Sequence, residues 1–217
     1  RAQNNRPGRN RTGLASGHLD LAAAQAAHAA RRIHAAPGDD DRRCLLALHF
    51  LELLLQVVPV AEEYNVKLAM HPDDPPLSPI RGLGRIMRSI DNYQRLLDMA
   101  PSPVNGIGLC QGNFTMMTDD LPGAIRHFGS QDKVFFVHFR DVRGTPEKFV
   151  ETFHDDGKTD MLACMRAYRD IGYEGVCRPD HVPTMEGDSN DRPGYSSIGR
   201  LFAIGYLKGL REAVYAE

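Results

Sequence analysis

Four residues with metal-binding side chains close four strand-like runs in the last two-thirds of this 217-residue chain: His71 in VKLAMHPDDPP, Cys110 in NGIGLCQGN, His138 in VFFVHFRDV and Asp180 in GVCRPDHVP. A sheet that delivers one such group from the C-terminal end of each successive parallel strand builds a metal site at the mouth of a barrel. Any one of these residues alone is better explained as core packing; their recurrence at four strand ends favours a metal. Two imidazoles, one thiolate and one carboxylate make a four-ligand set, and a catalytic ion would need a further position for water or substrate. Ligand softness alone points to zinc or ferrous iron.

Other polar groups gather at the same strand ends. Arg140 lies two residues beyond His138, on the same side of an extended segment, where a guanidinium would bind a carboxylate or phosphate as a bidentate pair. The plainer role is an ion pair with Asp141 or a neighbouring helix. His181 directly follows Asp180 and suits a general acid or base beside a metal, or a hydrogen-bonded structural imidazole. Tyr195, in PGYSS, could lend a phenol to proton transfer near a cation, or simply pack at a helix start. Asp73 and Asp74 fit turn formers or partners that orient His71. His154, in TFHDDGKT, is a loop histidine placed to approach substrate.

The remaining candidates have ordinary roles. Cys44, Cys164 and Cys177 sit in apolar patterns and read as core. His18, His28, His34, His49 and His127 fall on helices or in the tail. The run GIGLCQG lacks the spacing of a dinucleotide loop, and no acidic residue ends a following strand.

The elements that must position these groups alternate between helix and strand. Residues 44–64 predict a helix apolar on most of its circumference, hence largely buried, and interrupted or kinked at Pro59. Then come a strand at 66–70, a turn in DDPPLSP, a helix over 80–99 and a strand at 106–109. Asp119 and Asp120 favour a helix start running to Phe128, followed by a strand at 134–137, the most β-like stretch of the chain. RGTPEKFVETFHDDGKT reads as a loop, with a helix at 160–171, a strand at 175–177, a polar loop and a last helix at 196–214. Such βαβα order predicts a parallel sheet. Four strands are visible where a complete eight-stranded barrel takes about 250 residues, so the expected fold class is α/β, the C-terminal part of a TIM barrel without its N-terminal half.

Composition divides the chain near residue 43. The first twelve residues hold four arginines and are expected to be mobile, and 19–36 form an alanine-rich, weakly packing helix. Residues 1–43 are therefore an atypical Arg/Ala-rich segment and 44–217 a partial-barrel catalytic domain. A net charge of −2 gives no general attraction to nucleic acid or acidic membranes, and no apolar run is long enough for a spanning helix. Four cysteines without a framework spacing or a signal segment predict reduced thiols and a cytoplasmic protein. Arg1 in place of Met is expected of a fragment, a processed product or an incomplete coding sequence.

From about residue 50 onward, PVAEEYNVKLAMHPDDPP, LCQGNF, VHFRDV, RPDHVP and PGYSSIGRLFAIGYLKGL resemble mannonate dehydratase, a lyase of hexuronate catabolism with a xylose-isomerase-like barrel. The resemblance implies that His71, Cys110, His138 and Asp180 bind Mn2+ or Fe2+, and that Arg140, His181 and Tyr195 occupy substrate and proton-transfer positions. It further implies dehydration of D-mannonate to 2-dehydro-3-deoxy-D-gluconate, with Arg140 on the substrate carboxylate and His181 and Tyr195 sharing the proton transfers. A small sugar acid is then the expected substrate, with neither nucleic acid nor membrane as partner, and a homo-oligomer, a dimer, the expected assembly. Alternatives are another divalent-metal sugar isomerase on the same barrel and a truncated fragment that binds metal without turnover.

Overall fold

A computed structural model describes residues 41–217. The expectations for the Arg-rich tail, the helix at 19–36, His18, His28 and His34, and the Cys44 side chain lie outside the described residues. Helix α1 (Asp41–Glu63) leads into β1 (Leu68–Met70), α2 (Ile90–Met99), β2 (Asn105–Cys110) and the short α3 (Gln111–Phe114). There follow α4 (Leu121–Gly129), β3 (Val134–Phe139), β4 (Val142–Thr145), β5 (Lys148–Glu151), α5 (Met161–Asp170), β6 (Val176–Pro179) and α6 (Ser197–Tyr215).

Strands β1, β2, β3 and β6 form one parallel sheet in that order. The pairing sets Cys110 opposite His138 and His138 opposite Arg178, so the candidate ligands share one end of the sheet. β2 is buried along its whole length. Gly108 lets its neighbour approach: a Cβ there would stand 3.3 Å from the Ala69 carbonyl oxygen. Asn105 donates to the carbonyls of Leu96 and Ala100 at 3.3 and 3.0 Å, tying β2 to the C-terminal end of α2.

Helix starts follow from the carboxylates that sequence placed there. Asp120 accepts from the Gly123 N–H and Asp160 from the Ala163 N–H, each at 2.8 Å, so both act as N-caps. The core under the sheet is aromatic and aliphatic: Tyr93, Phe114 and Phe128 pack on one another with centroids 4.9 to 6.3 Å apart, beside Ile107, Leu109 and Ile125.

Three local expectations change. The helix predicted over 80–99 is confined to Ile90–Met99. Arg81 and Gly82 take left-handed φ angles of 51° and 77°, and the Asp73 carboxylate accepts from Arg85 Nε at 2.7 Å and the Met87 N–H at 2.8 Å, which holds this stretch off the helical path. The loop predicted after β3 contains the antiparallel hairpin β4–β5. Its Gly144 has φ +123°, and a Cβ would lie 2.2 Å from the Lys148 carbonyl oxygen, so a side chain is excluded there.

Helix α1 runs through Pro59 without interruption and is buried on one stripe only, Leu51, Leu54, Val58 and Ala61. Leu46, Leu53, Val57 and Val60 are exposed on the rest of its surface. Among the described residues, no helix is long and apolar enough to cross a membrane.

Candidate active site

At the C-terminal end of the sheet, one nitrogen or sulfur atom from each of His71, Cys110 and His138 lies within 4.8 Å of the others. His71 Nε2 and His138 Nδ1 are 3.1 Å apart. Asp180 Oδ2 is 3.6 Å from His138 Nδ1 and 3.9 Å from Cys110 Sγ. All four strand-end candidates therefore meet at one place, although they come from four separate strands.

The donor chemistry fits a divalent ion. His71 Nδ1 donates to the Pro72 carbonyl at 2.8 Å, which leaves Nε2 as the lone-pair nitrogen facing the cluster. Burial, outweighing the nearby Asp180 carboxylate, pushes His138 down to about 4, so it stays neutral, with its proton on Nδ1 toward His71 Nε2 until a cation takes that place. Burial pushes the Cys110 thiol up to about 11 against the pull of the Arg140 guanidinium, so it holds its proton until a cation replaces it.

Arg140 is brought to the site, but differently from expectation. It is 1% exposed, and its Nε and one terminal nitrogen grip the Glu151 carboxylate. The other terminal nitrogen donates to Asp74 Oδ2 at 2.7 Å and to Cys110 Sγ at 3.6 Å. A further contact of 3.5 Å to Asp74 Oδ1 engages the last N–H. With its donors committed to two carboxylates and a sulfur, Arg140 has no free fork for a substrate carboxylate. Burial works against its charge, but Glu151, Cys110 and Asp74 more than offset this and hold it protonated. Gly112 makes room for it, since a Cβ there would stand 2.7 Å from Arg140 Cδ. Asp141 does not pair with Arg140; it accepts from the Val142 and Thr159 N–H groups at 2.8 and 3.3 Å and ties down the base of the hairpin.

His181 and Tyr195 come together. His181 Nε2 is 2.8 Å from the Tyr195 hydroxyl, and Nδ1 is 3.1 Å from Glu151 Oε1. The bond to Glu151 raises the His181 pKa above its ordinary value, against burial. Tyr195 is 46% exposed, so the pair borders solvent on its phenol side.

His154 is brought to the region but is fully buried. Its Nε2 donates to the Phe139 carbonyl at 2.6 Å, and its ring stacks on Phe139, which makes it a brace for the end of β3. Nor do Asp73 and Asp74 orient His71: Asp73 binds Arg85 and Met87, and Asp74 binds Arg140.

Two residues here escaped sequence reasoning. Arg178 donates to His138 Nε2 at 3.0 Å and lies 3.6 Å from Asp180 Oδ1. Its spacing of two from Asp180 on a strand was the available signal. Glu151 sits on β5, in a stretch read as loop; the β-prone pair Phe149 and Val150 just past the TPE turn was the available signal.

The family described as D-mannonate dehydratase (UxuA) matches residues 40–217. The mannonate dehydratase of Thermotoga neapolitana is 43% identical over 180 residues, covering 81% of this chain and 49% of that protein. The crystal structure of mannonate dehydratase from Streptococcus suis serotype 2 aligns with a TM-score of 0.75 at 32% identity, covering 82% of this chain and 51% of that one. The structure of L-ribulose 3-epimerase aligns with a TM-score of 0.56 at 15% identity over 94% of this chain and 72% of that one, a likeness of fold alone. The described sheet is thus part of a TIM-barrel-like α/β fold, and the chain spans about half the length of the curated relatives it matches.

Proposed function

The chain belongs to the D-mannonate dehydratase family, and from that premise we propose that its strand-end residues dehydrate D-mannonate to 2-dehydro-3-deoxy-D-gluconate. The observation that carries this is the His181–Tyr195 pair, 2.8 Å apart, with His181 next in sequence to Asp180 of the ligand cluster. The elimination removes a proton from C2 and a hydroxyl from C3. Both events are proton transfers that a hydrogen-bonded imidazole and phenol can share.

One member of the pair takes the C2 proton and the other delivers a proton to the departing hydroxyl, which leaves as water. The enol then gains a proton at C3 and gives up the proton of its C2 hydroxyl, becoming the keto acid. Because the two groups touch, a proton taken by one can pass to the other, and the pair returns to its starting state.

His71, Cys110, His138 and Asp180 are the residues that would hold a divalent ion, which in our proposal is Mn2+ or Fe2+. When bound, it supplies Lewis acidity where the substrate carboxylate sits, making the C2 proton easier to remove. Arg140 acts in this scheme by holding Cys110, Asp74 and Glu151 in place, while His154 supports β3 from behind.

We further place the chain in the cytoplasm, consistent with free thiols at Cys110, Cys164 and Cys177. A homodimer is supported by the outer edges of β1 and β6, which pair with no further strand among the described residues, and by the exposed apolar side chains of α1. Formation of 2-keto acid from D-mannonate, measured with Mn2+ or Fe2+ added, tests the activity. Metal binding without product would reduce the chain to an ion-binding fragment.

A further inference from the structure

We propose that Glu151 is a positioning residue that fixes the tautomer of His181 and so leaves Nε2, the ring nitrogen facing Tyr195, without a proton in the neutral ring. This rests on the dehydratase function proposed above. Glu151 lies at the end of β5 in the hairpin, so its carboxylate reaches the site from outside the four-stranded sheet.

Its two oxygens are held from one side by Arg140. Nε donates to Oε2 at 3.0 Å, and a terminal N–H donates to Oε1. The carboxylate can then present Oε1 to His181 Nδ1, 3.1 Å away, only as an acceptor. Nδ1 must therefore carry the proton. In the neutral ring Nε2 is then a bare acceptor, and the Tyr195 hydroxyl, 2.8 Å from it, donates.

The opposite tautomer would set a bare Nδ1 against a carboxylate oxygen with no proton between them, and Nε2–H against the phenol. The proton path between phenol and imidazole would then be closed. A fixed acceptor that sets a histidine tautomer is a general device wherever an imidazole must take a proton at one chosen nitrogen.

The anchoring is built into the hairpin. Gly144 excludes a side chain, Asp141 holds the hairpin base, and Arg140 is itself locked by Asp74. No element of the sheet need move for Glu151 to keep its place.

The test uses the full chain labelled with 15N-histidine and loaded with diamagnetic Zn2+, together with steady-state kinetics in Mn2+. In the parent, the His181 resonances in alkaline buffer should report Nδ1–H. Glu151→Ala should shift the ring toward Nε2–H and lower kcat about 10–100-fold at unchanged KM and unchanged metal content. Glu151→Gln should keep the Nδ1–H tautomer and recover most of kcat, because its amide oxygen at the Oε1 position still accepts from His181, although its NH2 then meets the Arg140 Nε–H donor to donor.

A parent spectrum dominated by Nε2–H would overturn the proposal, whether or not any variant folds. So would an unaltered His181 spectrum in Glu151→Ala, or a raised KM with unchanged kcat. If the parent shows no turnover, the dehydratase assignment fails, while the NMR measurement still decides the role of Glu151.

Discussion

His181 Nε2 and the Tyr195 hydroxyl meet at 2.8 Å although they lie fourteen positions apart in the chain, across a polar loop. Two groups able to carry protons at neutral pH are thereby set side by side, one residue from a ligand candidate. Under the proposed function, this juxtaposition is what distinguishes a site for elimination from one that only holds an ion.

His181→Asn and Tyr195→Phe should each retain the divalent ion and lose about 100- to 10,000-fold in turnover, the range for removing a positioned acid or base. Parallel metal analysis and keto-acid assays check this. Near-normal turnover in either variant would take that residue out of the chemistry.

Cys110→Ala and His138→Ala should have the opposite signature. Each removes a donor atom of the cluster, and affinity should fall by more than the roughly 10–100-fold typical of losing an outer partner. Titration calorimetry with Mn2+ gives the number. Full occupancy in both variants would mean that the cluster is not the ion site.

Much of this was legible in the sequence because strand ends leave local signals. Each ligand candidate follows a short apolar run, and a parallel sheet then needs only its register, Cys110 beside His138 beside Arg178, to gather them. Helix starts at Asp120 and Asp160 were likewise readable from their capping carboxylates. What could not be read depended on distant partners. Arg140 looked free to clamp a substrate because nothing in HFRDV reveals Asp74, 66 positions earlier, or Glu151 across a hairpin. The stretch ahead of α2 carries helical apolar spacing, but Asp73 captures Arg85 and Met87 and overrides it. The composition of α1 suggested burial all round, and only packing revealed that one stripe is used.

Gly144→Val should destabilise the protein by about 1–3 kcal/mol, since the position combines a left-handed φ with a carbonyl oxygen where Cβ would stand. It should also lower turnover, because the displaced hairpin carries Glu151. Urea denaturation measures the first effect and the keto-acid assay the second. An unchanged midpoint would mean that the hairpin tolerates a side chain there.

Acid stability should depend on Glu151. Burial tends to raise its pKa, but the bonds from His181 and Arg140 prevail and hold it below the ordinary value of 4.5. Its contribution to stability is therefore complete above the ordinary value and is lost as the pH falls through the lower folded one. Glu151→Gln should be less stable than the parent at neutral pH and should lose less on acidification. Denaturation midpoints taken from about pH 7 down to about pH 3 provide the comparison. Parallel curves for the two proteins would mean that the carboxylate is not held by its partners.

The most direct measurement is to incubate the 217-residue chain with D-mannonate and Mn2+ or Fe2+ and follow 2-dehydro-3-deoxy-D-gluconate, with Cys110→Ala alongside. The proposed function predicts product in the parent, none without the ion and none in the variant. Stoichiometric ion binding by the parent with no product at any chain concentration would contradict it.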